Sequence, residues 1–191
     1  MALETNKFII PDGVVNQNIQ KMKSSELGPA TLWDFGIFDY RDTLTATNPI
    51  ALTGGSPAVL TNNSSTGTFK ILPDTEVTDL WISATDKFDF SDLNIGDMVE
   101  IRLDCEVTTT VTNQDYSIDL EMAQTTTPYN IPFIHSENVK TVGTHDVVRW
   151  LGFYMGDLNT INGQGQFIIT SASNLTVKVH GWYMKLTKKG R

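Results

Sequence analysis

The chain has 191 residues, 40% of them hydrophobic and 19% charged, with 14 basic and 22 acidic side chains for a net charge of −8. That length supplies one large domain, or one domain with an arm, and buries enough surface to fold without a disulfide or metal staple. The acidity is concentrated, with thirteen acids between Asp74 and Glu121 against Lys87 and Arg102 alone, which repels phosphate and argues against nucleic acid as a partner of that region.

Residues 1 to 66 do not pattern as a compact domain. Phe8-Ile9-Ile10 followed by Pro11-Asp12-Gly13 predicts a short extended piece and a turn, and Val15, Ile19 and Met22 are spaced for a short helix that Gly28-Pro29 would end. Leu32–Tyr40 carries four aromatics in nine positions, too apolar to lie in water, so it packs on its own body or on a neighbour. Residues 48–68 are rich in Gly, Ser, Asn, Thr and Pro and read as loop, with one strand at Ala58–Leu60.

From Phe69 the two-residue period takes over. In Val99–Val111 the odd positions Val99, Ile101, Leu103, Cys105, Val107 and Val111 are apolar, while Glu100, Arg102, Asp104 and Glu106 are charged, the mark of a strand with one wet face. Residues 112–115 read as a turn, and Tyr116, Ile118, Leu120 and Met122 then alternate with polar partners to complete a predicted hairpin. Further strands are expected at Val77–Ala84, Ile131–Ile134, Phe167–Ser171 and Leu175–Leu186, the last with a parity switch at Gly181 that predicts a bulge or bend. Val147–Met155 is apolar on both faces. One side meets the core and the other needs a second cover, for which a neighbouring subunit is the obvious candidate. About eight short strands with almost no helix predict an all-β antiparallel sandwich, a jelly roll by the length and variety of its connections.

Constellations for catalysis are missing. His135, His145 and His180 lack zinc spacing, Gly54-Gly55-Ser56-Pro57 is a turn with no nucleophile elbow, and Gly163-Gln164-Gly165 lacks the helix of a phosphate cradle. Cys105, the lone cysteine, faces inward as a small core residue and excludes an internal disulfide. Asp86, Asp89, Asp92, Asn94 and Asp97 crowd around Gly96. Their order does not fit a calcium loop and reads instead as a solvated turn before the strand at Val99. No catalytic residue, cofactor or metal is expected. No run of 18 apolar residues exists, and the first residues lack the basic-then-apolar pattern of a secretion leader, so neither a membrane nor a secretory route is expected.

The stretch Phe88–Arg102, an aromatic strand end, a loop, Leu93-Asn-Ile-Gly-Asp97 and an alternating strand, resembles trimeric jelly-roll domains of tailed-bacteriophage virion proteins, which share the tumour-necrosis-factor-like shape. The ending Val177–Leu186 is similar to the last strand of such a domain. The resemblance covers about residues 69–187 and carries no catalytic residues. It implies a homotrimer located in the virion, a capsid decoration (cement) or head-fibre protein. The expected organisation is a mostly extended N-terminal arm over 1–66 and a jelly-roll body over 67–191. In it Val148, Trp150 and Tyr154 form the subunit interface, and Phe8, Ile9, Trp33, Phe35 and Phe38 anchor the arm to a major capsid or other virion protein. Deleting residues 1–40 is then expected to leave a folded trimer that no longer attaches. The alternative is a tail-fibre protein recognising a host glycan through the loops Asn159–Gln166 and Thr125–Asn130 with Tyr129; a glycan-cleaving enzyme would instead need two close carboxylates in a deep cleft.

Overall fold

A computed structural model describes residues 33–64, 69–71 and 77–189, and Phe35–Lys188 form a single unit within it. The described elements run β1 (Trp33–Arg41), β2 (Ile50–Leu52), β3 (Ala58–Val59), β4 (Phe69–Ile71), β5 (Trp81–Ile82), β6 (Lys87–Phe88), β7 (Met98–Thr109), β8 (Gln114–Met122), β9 (Tyr129–Val139), β10 (Gly143–Tyr154), α1 (Leu158–Asn162), β11 (Gly165–Ser171) and β12 (Leu175–Lys189). They form two antiparallel sheets. The front sheet has the order β10-β7-β12-β1-β4, with β2 beside the start of β12, and the back sheet has the order β5-β6-β11-β8-β9, with β3 beside β11. After β9 successive strands cross between the sheets, β10 front, β11 back and β12 front, so neighbours in a sheet are distant in sequence. This is the expected all-β jelly-roll sandwich.

The alternation in β7 is obeyed residue by residue, with Val99, Ile101, Leu103, Cys105 and Val107 all buried against the back sheet. Between the layers Trp182 meets Trp81 and Phe88 edge-on at ring-centre distances of 4.6 and 5.6 Å, and Phe88 meets Phe167 at 5.5 Å. Each such pair adds about 0.5–1.5 kcal/mol beyond simple area burial. The predicted irregularity in the last strand is present: the register of β12 against β7 shifts between Val179 and Gly181. Gly181 has φ +155°, and a Cβ placed on it would lie 2.2 Å from the Tyr40 carbonyl oxygen.

Three expectations are corrected. The hairpin predicted from Val99–Val111 and Tyr116–Met122 does not form, because β7 lies in the front sheet and β8 in the back sheet, where it pairs with β9 and β11. The chain turns the corner at Asn113 (φ 52°) over buried Gln114, whose Oε1 accepts from the amides of Thr110 (3.0 Å) and Val111 (3.3 Å). Gln114 Nε2 donates to Ser171 Oγ at 3.2 Å and to the carbonyls of Ser173 and Asn174, which ties the corner to the other layer. The strand expected over Val77–Ala84 shrinks to Trp81–Ile82, since the Leu80 amide donates to the Tyr40 hydroxyl (2.9 Å) instead of a neighbouring strand. That hydroxyl in turn donates to Asp79, and burial, reinforced by Asp79, pushes it above the ordinary tyrosine range.

The third correction concerns the arm, which does not reach residue 66. β1 is an internal strand of the front sheet between β12 and β4, and β2 and β3 each add to a sheet. Phe38 and Tyr40 are fully buried, so the aromatic segment packs on its own body. The physical reason is the alternation of β1 itself: Phe38 and Tyr40 share one face, and that face closes the core against Leu80, Trp81 and their neighbours.

Candidate functional site

β10 is the outer strand of the front sheet, paired through all twelve residues with β7 from Gly143↔Thr109 to Tyr154↔Met98 without a register shift. Its inward side chains include buried Val147 and half-buried Leu151 and Phe153, which pack on the core. Its outward side chains are Val148, Trp150 and Tyr154, exposed at 52, 55 and 67%. The doubly apolar pattern in the sequence is therefore real, and only one of the two faces is covered within the unit.

Antiparallel register sorts this outer face into rows running across β10, β7 and β12. Trp150 stands opposite Arg102, and Arg102 opposite Tyr183. The guanidinium carbon lies 5.4 Å from the centre of the Trp150 ring and 5.6 Å from that of Tyr183, and the two rings meet edge-on at 5.6 Å. Arg102 Nη2 donates to Asp104 at 2.8 Å, whereas Arg102 Nε and Asp104 Oδ1 are buried and make no hydrogen bond among the described residues. Rows on either side hold ion pairs between β7 and β12, Glu100 with Lys185 at 3.0 Å and Glu106 with Lys178 at 3.3 Å, and His180 Nε2 hydrogen-bonds the same Glu106 carboxylate at 3.0 Å. Such half-exposed pairs contribute little individually. The free energy available on this face lies in the aromatic surface and in whatever satisfies the two unpaired polar atoms.

Gly152 separates Trp150 from Tyr154 and leaves a notch floored by Glu100 at 3.9 Å from its notional Cβ. Met98, exposed and opposite Tyr154, extends the apolar surface to the start of β7. Sequence reading found the β10 residues and missed Arg102 and Tyr183. Both alternate correctly in their own strands, but only the neighbour order β10-β7-β12 brings them under Trp150.

The other expected sites fall in different places. Phe8 and Ile9 lie outside the described residues, as does the side chain of Trp33. Phe35 is half exposed on β1, and Phe38 is sealed in the core and cannot anchor anything. The two loops considered for glycan recognition are one cluster: Tyr129 Oη and Thr160 Oγ1 are 2.8 Å apart, and Asn159 accepts from the Thr127 amide at 2.9 Å and donates to its carbonyl at 3.1 Å. Most of their polar groups are thus turned on each other. In the acidic loop Asp89 accepts from the Ser91 amide and Asp97 from the Asn94 amide, and no group of three or more metal-ligating side chains gathers among the described residues. Cys105 is buried, and burial first, then the negative charges of Asp104 and Glu106, pushes its thiol up to about 12, which keeps it protonated and unreactive near neutrality.

No family model and no curated protein matches the chain. Among solved structures it is similar to the Eiger TNF of S. frugiperda, with 5% identity over 82% of this chain and 92% of that one at a TM-score of 0.36. It is also similar to the CBM22-1 xylan-binding domain of Paenibacillus barcinonensis Xyn10C, with 13% identity over 81% and 92% at a TM-score of 0.37. A third likeness is to the Cowpea Mosaic Virus empty virus-like particle, with 7% identity over 82% and 78% at a TM-score of 0.28.

Proposed function

We propose that this chain is a non-enzymatic structural protein of a virion, a homotrimer closed through the outer face and free edge of β10. Its N-terminal segment then attaches it to a major capsid or other virion protein, as in capsid decoration or head-fibre proteins. The observation that carries the self-association is the contrast between β10 and the two edges of the back sheet. Among the described residues β5 is two residues long and β9 is broken by Pro132 and two register shifts, both of which discourage pairing with another chain. β10 has twelve residues in unbroken register, no proline, and an aromatic outer face. Of its two charges, Arg149 is drawn to Glu137 at 3.1 Å and to the Val148 carbonyl, away from the Val148–Trp150–Tyr154 surface, and Asp146 stands at one end of that surface opposite Glu106.

A closed ring of three uses a head-to-tail interface, in which the β10 face of one copy meets a different surface of the next. A stable contact needs about 800 Å² from each partner, and a Trp or Tyr supplies about 150–250 Å², so the interface extends from β10 over the Arg102–Tyr183 row. Placement in a virion is supported by the resemblance of Leu93–Asp97 and Val177–Leu186 to phage virion domains, and attachment through the segment before β1 follows from the same reading. Light scattering at several concentrations tests the assembly: a mass of three chains is expected, and a single-chain mass at all concentrations overturns it. Electron microscopy of particles assembled with and without the protein tests the location.

A further inference from the structure

We infer that the back sheet carries a second site, a hydroxyl-lined pocket that takes one neutral saccharide unit. The cavity, about 380 Å³, lies on the opposite layer from the β10 face. That volume sits in the lower part of the range of small-ligand pockets.

Four neighbouring segments build it. Ser117 of β8 and Thr170 of β11 face outward side by side, their hydroxyl oxygens 2.6 Å apart, and form the floor. The turn before β3 is one wall, with Ser56 and Pro57 beside Ala172. Gly54 makes this wall possible, since a Cβ there would fall 2.5 Å from the Ala172 carbonyl oxygen, and the Gly55 amide bonds the Ser171 carbonyl at 2.9 Å. The other wall is β9 where its ladder opens: Tyr116 pairs with Glu137 and Ile118 with Ile134, so two residues of β9 stand against Ser117 alone, and Ser136 lines the cavity. Bulges of this kind re-aim side chains beside binding sites. Asp115 closes one end, with Oδ1 accepting from Asn138 at 2.7 Å.

The lining selects the ligand. Hydroxyls of Ser56 and Ser136 can each donate and accept, and the Ser117–Thr170 pair, one of whose hydrogens closes their mutual bond, offers one further donor and free lone pairs, which matches the hydroxyls of a sugar, while Asp115 only accepts. Pro57 and Ala172 offer apolar surface to the C–H face of a pyranose ring. Among the described residues no basic side chain lines the cavity and one carboxylate stands in it, which disfavours an anionic ligand; a single carboxylate is also too few for a metal.

The test is amide-resolved NMR of the full chain titrated with D-glucose, D-galactose, N-acetyl-D-glucosamine and lactose at millimolar concentration. At least one is expected to shift the amides of Ser56, Ser117 and Thr170. Ser117→Phe, which fills the floor from the solvent side, is expected to weaken that ligand about tenfold or more. Ser56→Trp in the exposed turn is expected to do the same should Ser117→Phe fold poorly, while Tyr129→Ala leaves binding unchanged. The inference is overturned if none of the four sugars shifts these amides, if the shifts map to Tyr129 and Thr160 instead, or if binding survives both filling variants.

Discussion

Arg102 holds its guanidinium over the Trp150 ring, 5.4 Å from the ring centre, while donating to Asp104 on the same strand. Inside the unit this contact is worth about 0.5–1 kcal/mol, because one side of Trp150 is wet. Desolvated by a second copy, the same pair strengthens to about 2 kcal/mol or more. Trp150→Ala is therefore expected to reduce the solution mass from three chains to one, while denaturant unfolding of the separated chain falls by only about 1 kcal/mol, the size of the contact within the unit. An unaltered trimer would place the contact elsewhere on the molecule.

Gly181 and Tyr40 make a different kind of contact, one of backbone against backbone. The register shift in β12 brings the Gly181 Cα against the Tyr40 carbonyl, and the 2.2 Å gap to a notional Cβ leaves no room for a methyl group. Both partners are main chain, so neither can swing aside. Gly181→Ala is expected to destabilise the fold by about 2–4 kcal/mol, through overpacking and a φ that L-residues avoid. Urea unfolding measures it; a loss below about 0.5 kcal/mol would show that β1 and β12 can separate without penalty.

The bend at Gly181 was legible in the sequence because a parity switch records which face each residue takes. Partner identity leaves no such record. Val99–Val107 and Tyr116–Met122 alternate identically whether they are neighbours in one sheet or face each other across a sandwich, and the buried Gln114 that decides the matter looks like any polar turn residue. The same limit hid the stacking of Trp150 on Arg102 and Tyr183. It also led the aromatic run Leu32–Tyr40 to be read as an arm, because surrounding loop composition masked the alternation that puts Phe38 and Tyr40 on the core side. The hydroxyl pocket depends on a bulge in β9 opposite Ser117, and bulge positions in strands without a glycine carry no sequence signature.

Moving the boundary of the arm changes the truncation experiment. Removing residues 1–32 leaves β1 whole, and a folded protein of unchanged solution mass is expected, deficient only in attachment to particles. Removing 1–40 also deletes Phe38 and Tyr40, both fully buried, together with the hydroxyl that accepts from Leu80. Loss of one buried Phe side chain alone amounts to about 3–5 kcal/mol, so the longer deletion is expected to be insoluble or unfolded by circular dichroism. Equal behaviour of the two truncations would mean that β1 contributes nothing to the core.

Alkaline pH provides a test of the interior that needs no partner. Cys105 rises from an ordinary value of 9.0 to about 12 through burial first and the nearby Asp104 and Glu106 second, and burial also pushes Tyr40 and Tyr116 upward. In each case the folded state holds its proton more tightly than the unfolded chain does. Their contribution is complete below the unfolded value and is lost as pH climbs from about 9 toward the raised folded values. Urea midpoints are accordingly expected to be flat from pH 7 to 8.5 and to fall steadily above 9. Cys105→Ala should shallow that fall from pH 9 to about 12, flattening it between pH 9 and 10 and leaving only the tyrosine part above 10. Native protein is also expected to resist iodoacetamide at pH 8 and to react once unfolded; rapid modification of the folded chain would mean that the two sheets open far more often than this core packing permits.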